Sequence, residues 1–358
     1  MKRVRVVLLC AVLACLGGQL NGQVQATLRA ETGLPQGQVA APNTPGGGVV
    51  VGSFVYVTDA VWGFRNYQPA DPNNPDPVNS GVLVFNSAND GRSVGGTELC
   101  FFFCHAGQVA YDGNQTVYVA SYDHSKGQPG SVDLPGVWRL SIDPVQGFVT
   151  PGALLVPKFN LASNQPTSIA LGPDGNLYVG FLKNGNVVRI VNPTLDPSDP
   201  RQIVQSVGSA PNGRPVRSLA FVGPDLYLAS TDSLSVIKNA VASTCQGGCN
   251  GAALTDGFAG AAHVGITSDG INRLYIAING QGVWRYTISS HAMQLIATGG
   301  LDPNTNARLT FAFVGGNSNL TQLDRLGNLW IGDDVSDGNL NFQGRIWYIP
   351  AGALASIP

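Results

Sequence analysis

Glutamate is almost missing from this 358-residue chain: it occurs only at Glu31 and Glu98, so nearly all the acidic charge is aspartate. Aspartate serves turns and glutamate serves helices, so the bias argues against a helical protein and suits one built of strands and turns. Charge of either sign is scarce, at 12%, and the formal net charge of −2 leaves no basic field for nucleic acid. No stretch beyond the N-terminus keeps a 3.6-residue apolar period, and 46 Gly and 23 Pro exceed what long helices tolerate. The chain has no G-x-S-x-G nucleophile motif, no Ser-His-Asp order that singles itself out, and no glycine loop opening a helix to cradle phosphate.

What the chain does have is a repeat. From Pro166 to Ile190 it reads PTSIALGPDGNLYVGFLKNGNVVRI, three apolar runs separated by Pro-Asp-Gly and Asn-Gly turns. Such turns between β-branched runs are hairpin signals, because Gly and Asn reach positive φ at little cost. Three strands in meander order cannot bury both faces alone, so the unit needs copies of itself. The second strand marks each copy: Val55-Tyr56-Val57, Val117-Tyr118-Val119, Leu177-Tyr178-Val179, Leu226-Tyr227-Leu228, Leu274-Tyr275-Ile276 and Leu329-Trp330-Ile331. The spacing runs from 48 residues (Leu226 to Leu274) to 62 (Val55 to Val117), within the span of a four-stranded propeller blade with long loops.

Six copies predict an all-β, six-bladed β-propeller with four-stranded antiparallel blades. The third strands are expected at Gly81–Phe85, Gly136–Leu140, Asn186–Val191, Ser235–Lys238, Gly282–Tyr286 and Gly344–Ile349. The last copy ends at Ile349-Pro350 with little left for a fourth strand, so Ala26–Glu31 is expected to supply it and close the ring. Two insertions interrupt the rhythm, Asn66–Asn79 (rich in Pro, Asn and Asp) and the Gly-rich Ser243–Gly260. Both are expected as surface loops.

Residues 1–23 read as an export signal: Lys2, Arg3 and Arg5, then apolar Val6–Leu16, then small and polar residues. The apolar core is too short to span a bilayer, which leaves residues 24–358 as one exported domain without a transmembrane anchor, secreted or periplasmic. Val24-Gln25-Ala26 has small residues at the spacing of a cleavage site, so a cut after Ala26 is an alternative to one after residue 23. Val12-Leu13-Ala14-Cys15 offers the alternative of a lipid anchor at Cys15. Export also bears on the four remaining cysteines, Cys100, Cys104, Cys245 and Cys249, in two C-x₃-C pairs. Oxidation in that compartment predicts the disulfides Cys100–Cys104 and Cys245–Cys249, ahead of a zinc or haem site.

Pro166–Gly180 (PTSIALGPDGNLYVG) and Asn319–Asp333 (NLTQLDRLGNLWIGD) resemble the NHL-repeat and gluconolactonase/senescence-marker-type propellers. The resemblance implies the six-bladed fold. For the enzymes of that superfamily it also implies a divalent cation such as calcium at the axial mouth, held by Glu, Asn and Asp, with an Asp acting in lactone opening. Transferred to this chain, the metal positions fall on Asn319 and Asp324. The first blade, GGGVVVGSFVYV, lacks the family's early Glu, and Thr167 stands where the family has Asn.

In a propeller the first strand of each blade lines the axis, so the residues just before it open on one face. These are His105, Asn164, Gln165, Arg217, His263 and Asn319, and the ends of the second strands add Asp59, Asp123, Asp232, Asp333 and Asp334. We take His105, Asn164, Arg217, His263 and Asn319 as candidate ligand-binding residues. Each Asp, taken singly, also reads as a cap on the following turn. Two functions follow: a binding or scaffold module that uses one face of the disc for a small molecule or protein, or a metal-assisted hydrolase or lyase at the axial mouth. Sequence leaves open whether the protein is an enzyme.

Overall fold

The computed structural model describes residues 23–31, 45–51, 54–59, 63–67, 82–83, 106–121, 136–143, 149–150, 153–155, 165–242, 249–255, 264–302, 305–312, 320–336 and 342–358. Within them the chain is an all-β propeller of four-stranded antiparallel blades. The strands form six sheets, of which four have four strands, one has five and one has six. The third sheet is the repeat unit read above: Pro166–Leu171, Leu177–Phe181, Asn186–Val191 and Ile203–Ser209. The first strand of each sheet lies against the first strand of the next, and that of the sixth lies against that of the first.

The second-strand markers explain the packing. A strand alternates its side chains between two faces, and here both faces meet a neighbouring sheet. Tyr118 and Ala120 point onto Ile169, Leu177 and Val179 of the next sheet, while Val117 and Val119 meet Val49, Val51 and Tyr56 of the one before. Tyr178, Tyr227 and Tyr275 repeat the arrangement. Each core is therefore shared between sheets, which is why Leu177–Phe181 is buried at every position. The phenols reach onward as well: Tyr56 donates to Asp143 O (3.3 Å) and Tyr178 to Ala240 O (3.4 Å), each one sheet away. Burial pushes the hydroxyls of Tyr118 and Tyr178 up to about 12.

The sixth sheet is the composite one. Thr321–Leu323, Leu329–Ser336 and Phe342–Ile349 form its meander, and Ala26–Glu31 pairs antiparallel with Phe342–Ile349, setting Thr27 opposite Tyr348 and Leu28 opposite Trp347. On its other side Ala26–Glu31 runs parallel to Gly299–Leu301, which pairs with Arg308–Thr310. After Pro350 a short helix, Ala351–Ala355, puts Leu354 and Ile357 into the core between the fifth and sixth sheets. Arg285, buried in the fifth sheet, holds this tail by donating to Ile357 O (3.1 Å), Pro358 O and Gln294 Oε1 (2.5 Å).

Two strand assignments need correcting. In the first sheet the third strand is Gly63–Tyr67 and the fourth is Val82–Leu83, so Asn66 and Tyr67 are strand residues rather than loop. Gly63–Tyr67 has few β-branched residues and is held by pairing to Phe54–Asp59. The Gly-rich Ser243–Gly260 is not all loop either. It carries Cys249–Asn250, paired to the third sheet, and Ala252–Thr255, the fourth strand of the fourth sheet. Among the described residues no helix is long and apolar enough to cross a membrane.

Candidate functional site

Aligning the sheets on their second strands puts Gly48, Val109, Ile169, Leu219, Ile266 and Thr321 in one layer around the axis. The residues one step earlier are Gly47, Gln108, Ser168, Ser218, Gly265 and Leu320. Gln108 is the only long polar side chain among them, and it is buried. Its Nε2 donates to Leu219 O (2.8 Å), and its Oε1 accepts from Leu219 N (2.9 Å) and Ile169 N (3.2 Å). One amide from the second sheet thus joins the first strands of the third and fourth. The residues beside it are small because nothing larger fits: a Cβ on Gly47 would stand 2.4 Å from Gln108 Cα, and one on Gly107 would stand 2.2 Å from Thr167 O.

One turn further toward the mouth, four first strands change register, between Pro45 and Gly48, Ala106 and Val109, Pro166 and Ser168, and Val216 and Ser218. Bulges of this kind bend a strand and re-aim a side chain. In the third and fourth sheets the extra residues are Thr167 and Arg217. Thr167 Oγ1 donates to Val216 O (2.8 Å), tying one bulge to the next strand. Arg217 is the charged member of the set, at the same end of the fourth sheet as Arg214, Ser230, Asp232 and Ser233. Ser230 N donates to Ser233 O (2.9 Å), which closes the turn carrying Asp232. Arg214 Nη1 lies 3.4 Å from Asp232 Oδ1, both side chains partly exposed. The hydroxyls of Ser230 and Ser233 are buried without a hydrogen-bond partner among the described residues.

Of the candidate ligand-binding residues, Arg217 is at the mouth end of its strand. His105, Asn164, His263 and Asn319 lie outside the described residues, as do Cys100, Cys104 and Cys245; Cys249 is described only as backbone in its short strand. Asp324, the second candidate metal ligand, sits at the opposite end of its first strand, in the hairpin that leads to the second. Its Oδ1 accepts from Leu326 N and Asn328 N (2.9 Å each), and its Oδ2 from Asn328 Nδ2 (2.9 Å) and Trp330 Nε1 (3.1 Å). Asp112, Asp174 and Asp269 do the same work in the second, third and fifth sheets, accepting from backbone N–H groups two to four residues on. A carboxylate already holding four donors, facing away from the mouth, does not fit a hard cation there.

Asp333, at the end of its second strand, is fully buried and turned inward. It accepts from Ala312 N (3.1 Å) and Trp347 Nε1 (3.1 Å). Among the described residues no group of three His, Cys, Asp or Glu is placed to hold a metal ion. Sequence reasoning missed Gln108, Arg214 and the two serines. The signal that finds them is register: once the second strands are aligned, the residues beside and before the axial layer follow.

Fold and site together define a β-propeller in which Gln108 ties the first strands of three sheets and Arg217, Arg214 and Asp232 lie at one end of the fourth. Solved structures that resemble the chain include a luciferin-regenerating enzyme and a regucalcin. A luciferin-regenerating enzyme matches 86% of this chain with 92% of its own, at 12% identity and a TM-score of 0.54. A calcium-binding regucalcin from Agrobacterium tumefaciens matches 91% with 94%, at 11% identity and a TM-score of 0.51. A Bacteroides thetaiotaomicron protein of unknown function matches 92% with 75%, at 14% identity and a TM-score of 0.55. These likenesses establish the fold. No protein-family model and no curated protein matches the chain.

Proposed function

We propose that residues 24–358 form one exported, six-bladed propeller, secreted or periplasmic, that binds a small molecule or protein partner through the mouth face and carries out no chemistry itself. Six sheets and the contact of the sixth first strand with the first support the blade count, and the pairing of Ala26–Glu31 with Phe342–Ile349 supports closure by the N-terminal strand. The observation that carries the binding role is the set of polar groups at the mouth end of the fourth sheet, Arg217, Arg214, Asp232 and the buried hydroxyls of Ser230 and Ser233, beside first strands that Gln108 ties together. Cys100–Cys104 and Cys245–Cys249 disulfides belong to this reading, each closing a short local ring.

The second reading, a metal-assisted hydrolase or lyase, draws on the likeness to regucalcin, itself a calcium-binding protein. A calcium ion here would need ligands other than Asp324, with Asn319 the remaining candidate at the mouth end. Lactone hydrolysis measured with and without added calcium separates the two. The binding reading expects no turnover above background in either condition. Calcium-dependent turnover that disappears in Arg217→Ala at an unchanged melting temperature would replace it with the hydrolase.

A further inference from the structure

Val24-Gln25-Ala26 is the stretch that reads as an export cleavage site, yet the fold uses Val24 and Ala26, with Gln25 exposed between them. Val24 N donates to Ile296 O (2.7 Å) on the fourth strand of the fifth sheet, and its side chain packs on the core shared by the fifth and sixth sheets. Ala26 is fully buried and stands opposite Gly300 in the parallel pairing. The approach is close: a Cβ on Gly300 would stand 2.3 Å from Ala26 O. Cutting after Ala26 would delete the Val24–Ile296 hydrogen bond and the Val24 packing, leaving Leu28 as the strand's remaining residue in the core shared with the fifth sheet. It would also place a charged ammonium on the half-buried Thr27, inside its pairing with Tyr348.

We infer that export processing cuts on the N-terminal side of Val24, and that Val24–Ala26 stays in the mature chain as the part of the closing strand that ties the fifth sheet to the sixth. The inference rests on the exported, strand-closed reading above. It makes Val24 and Ala26 packing residues: Val24 lies on the shared core, Ala26 is fully buried with its carbonyl against Gly300, and the likeness to a protease recognition sequence is incidental.

Two measurements test it. The full chain is produced in an exporting bacterial host and the mature N-terminus is read by intact mass. A terminus at or before Val24, including a lipidated Cys15, is the expected result, and a mature chain beginning at Thr27 overturns the inference. Independently, two leaderless chains, one starting at Gln23 and one at Thr27, are compared by thermal unfolding. The Thr27 chain is expected to melt roughly 5 °C or more lower, or to fail to fold. Equal melting temperatures overturn the inference whatever the compartment. If the host product keeps Met1, the export reading falls, and the pair of leaderless chains still decides whether Val24–Ala26 closes the ring.

Discussion

At the scale of the residue, the clearest result concerns aspartate. In Asp112, Asp174, Asp269 and Asp324 the oxygens are spent on the N–H groups of the following turn, where an Asx-type bond replaces a missing backbone partner. Gln108 is the opposite case, a residue without any motif whose three hydrogen bonds join the first strands of three sheets. Gln108→Leu keeps most of the volume but strands Ile169 N, Leu219 N and Leu219 O in a buried place. We expect a loss of about 2–4 kcal/mol in chemical denaturation, since each orphaned buried group costs roughly 1–3 kcal/mol. A loss under about 0.5 kcal/mol would mean that water enters and the axis is open at that level.

At the scale of the element, strand type was legible wherever β-branched runs sat between turns, and boundaries were not. Gly63–Tyr67 is a strand through pairing, against its composition. The C-terminal segment is similar: nothing in AGALASIP announces a docked element, yet Leu354 and Ile357 are buried and Arg285 clasps the last carbonyls. Burial holds the Arg285 guanidinium below its ordinary range, so the site is desolvated and the carbonyls are what make a charge tolerable there. Arg285→Met preserves the aliphatic stem while removing the donors. It is expected to cost about 1.5–3 kcal/mol, with hydrogen exchange quickening in Ala351–Ala355 before the strands respond. Uniform exchange across the molecule would show that the tail is not a separate unit.

At the scale of the whole molecule, the cores lie between sheets, so no sheet is stable apart from its neighbours, and the ring unfolds as a unit. The buried tyrosines supply a handle on that cooperativity. Tyr118 and Tyr178 are raised to about 12 by burial, from an ordinary value of 10.0. The unfolded chain ionises its phenols first, so it gains protons less readily than the native state as pH climbs. Stability is therefore unaffected by these groups below about pH 10 and falls between about pH 10 and 12. We expect the phenolate absorbance of these residues to appear together with loss of β circular dichroism. Phenolate forming near pH 10 in a still-folded protein would show that the rings are solvated.

Sequence alone determined that this is a turn-rich repeat of short strands, because alternation, Asx turns and β-branched runs are local properties, readable within some twenty-five residues such as Pro166–Ile190. It also pointed to Ala26–Glu31 as the partner of the last strand, since an edge needs covering. What only tertiary structure decided is what each polar residue does. Whether Asp324 meets a cation or its own hairpin, and whether Gln108 stands alone or joins three sheets, depend on which groups arrive within hydrogen-bonding distance. Those distances are set by register between strands up to three hundred residues apart, and no local pattern encodes them.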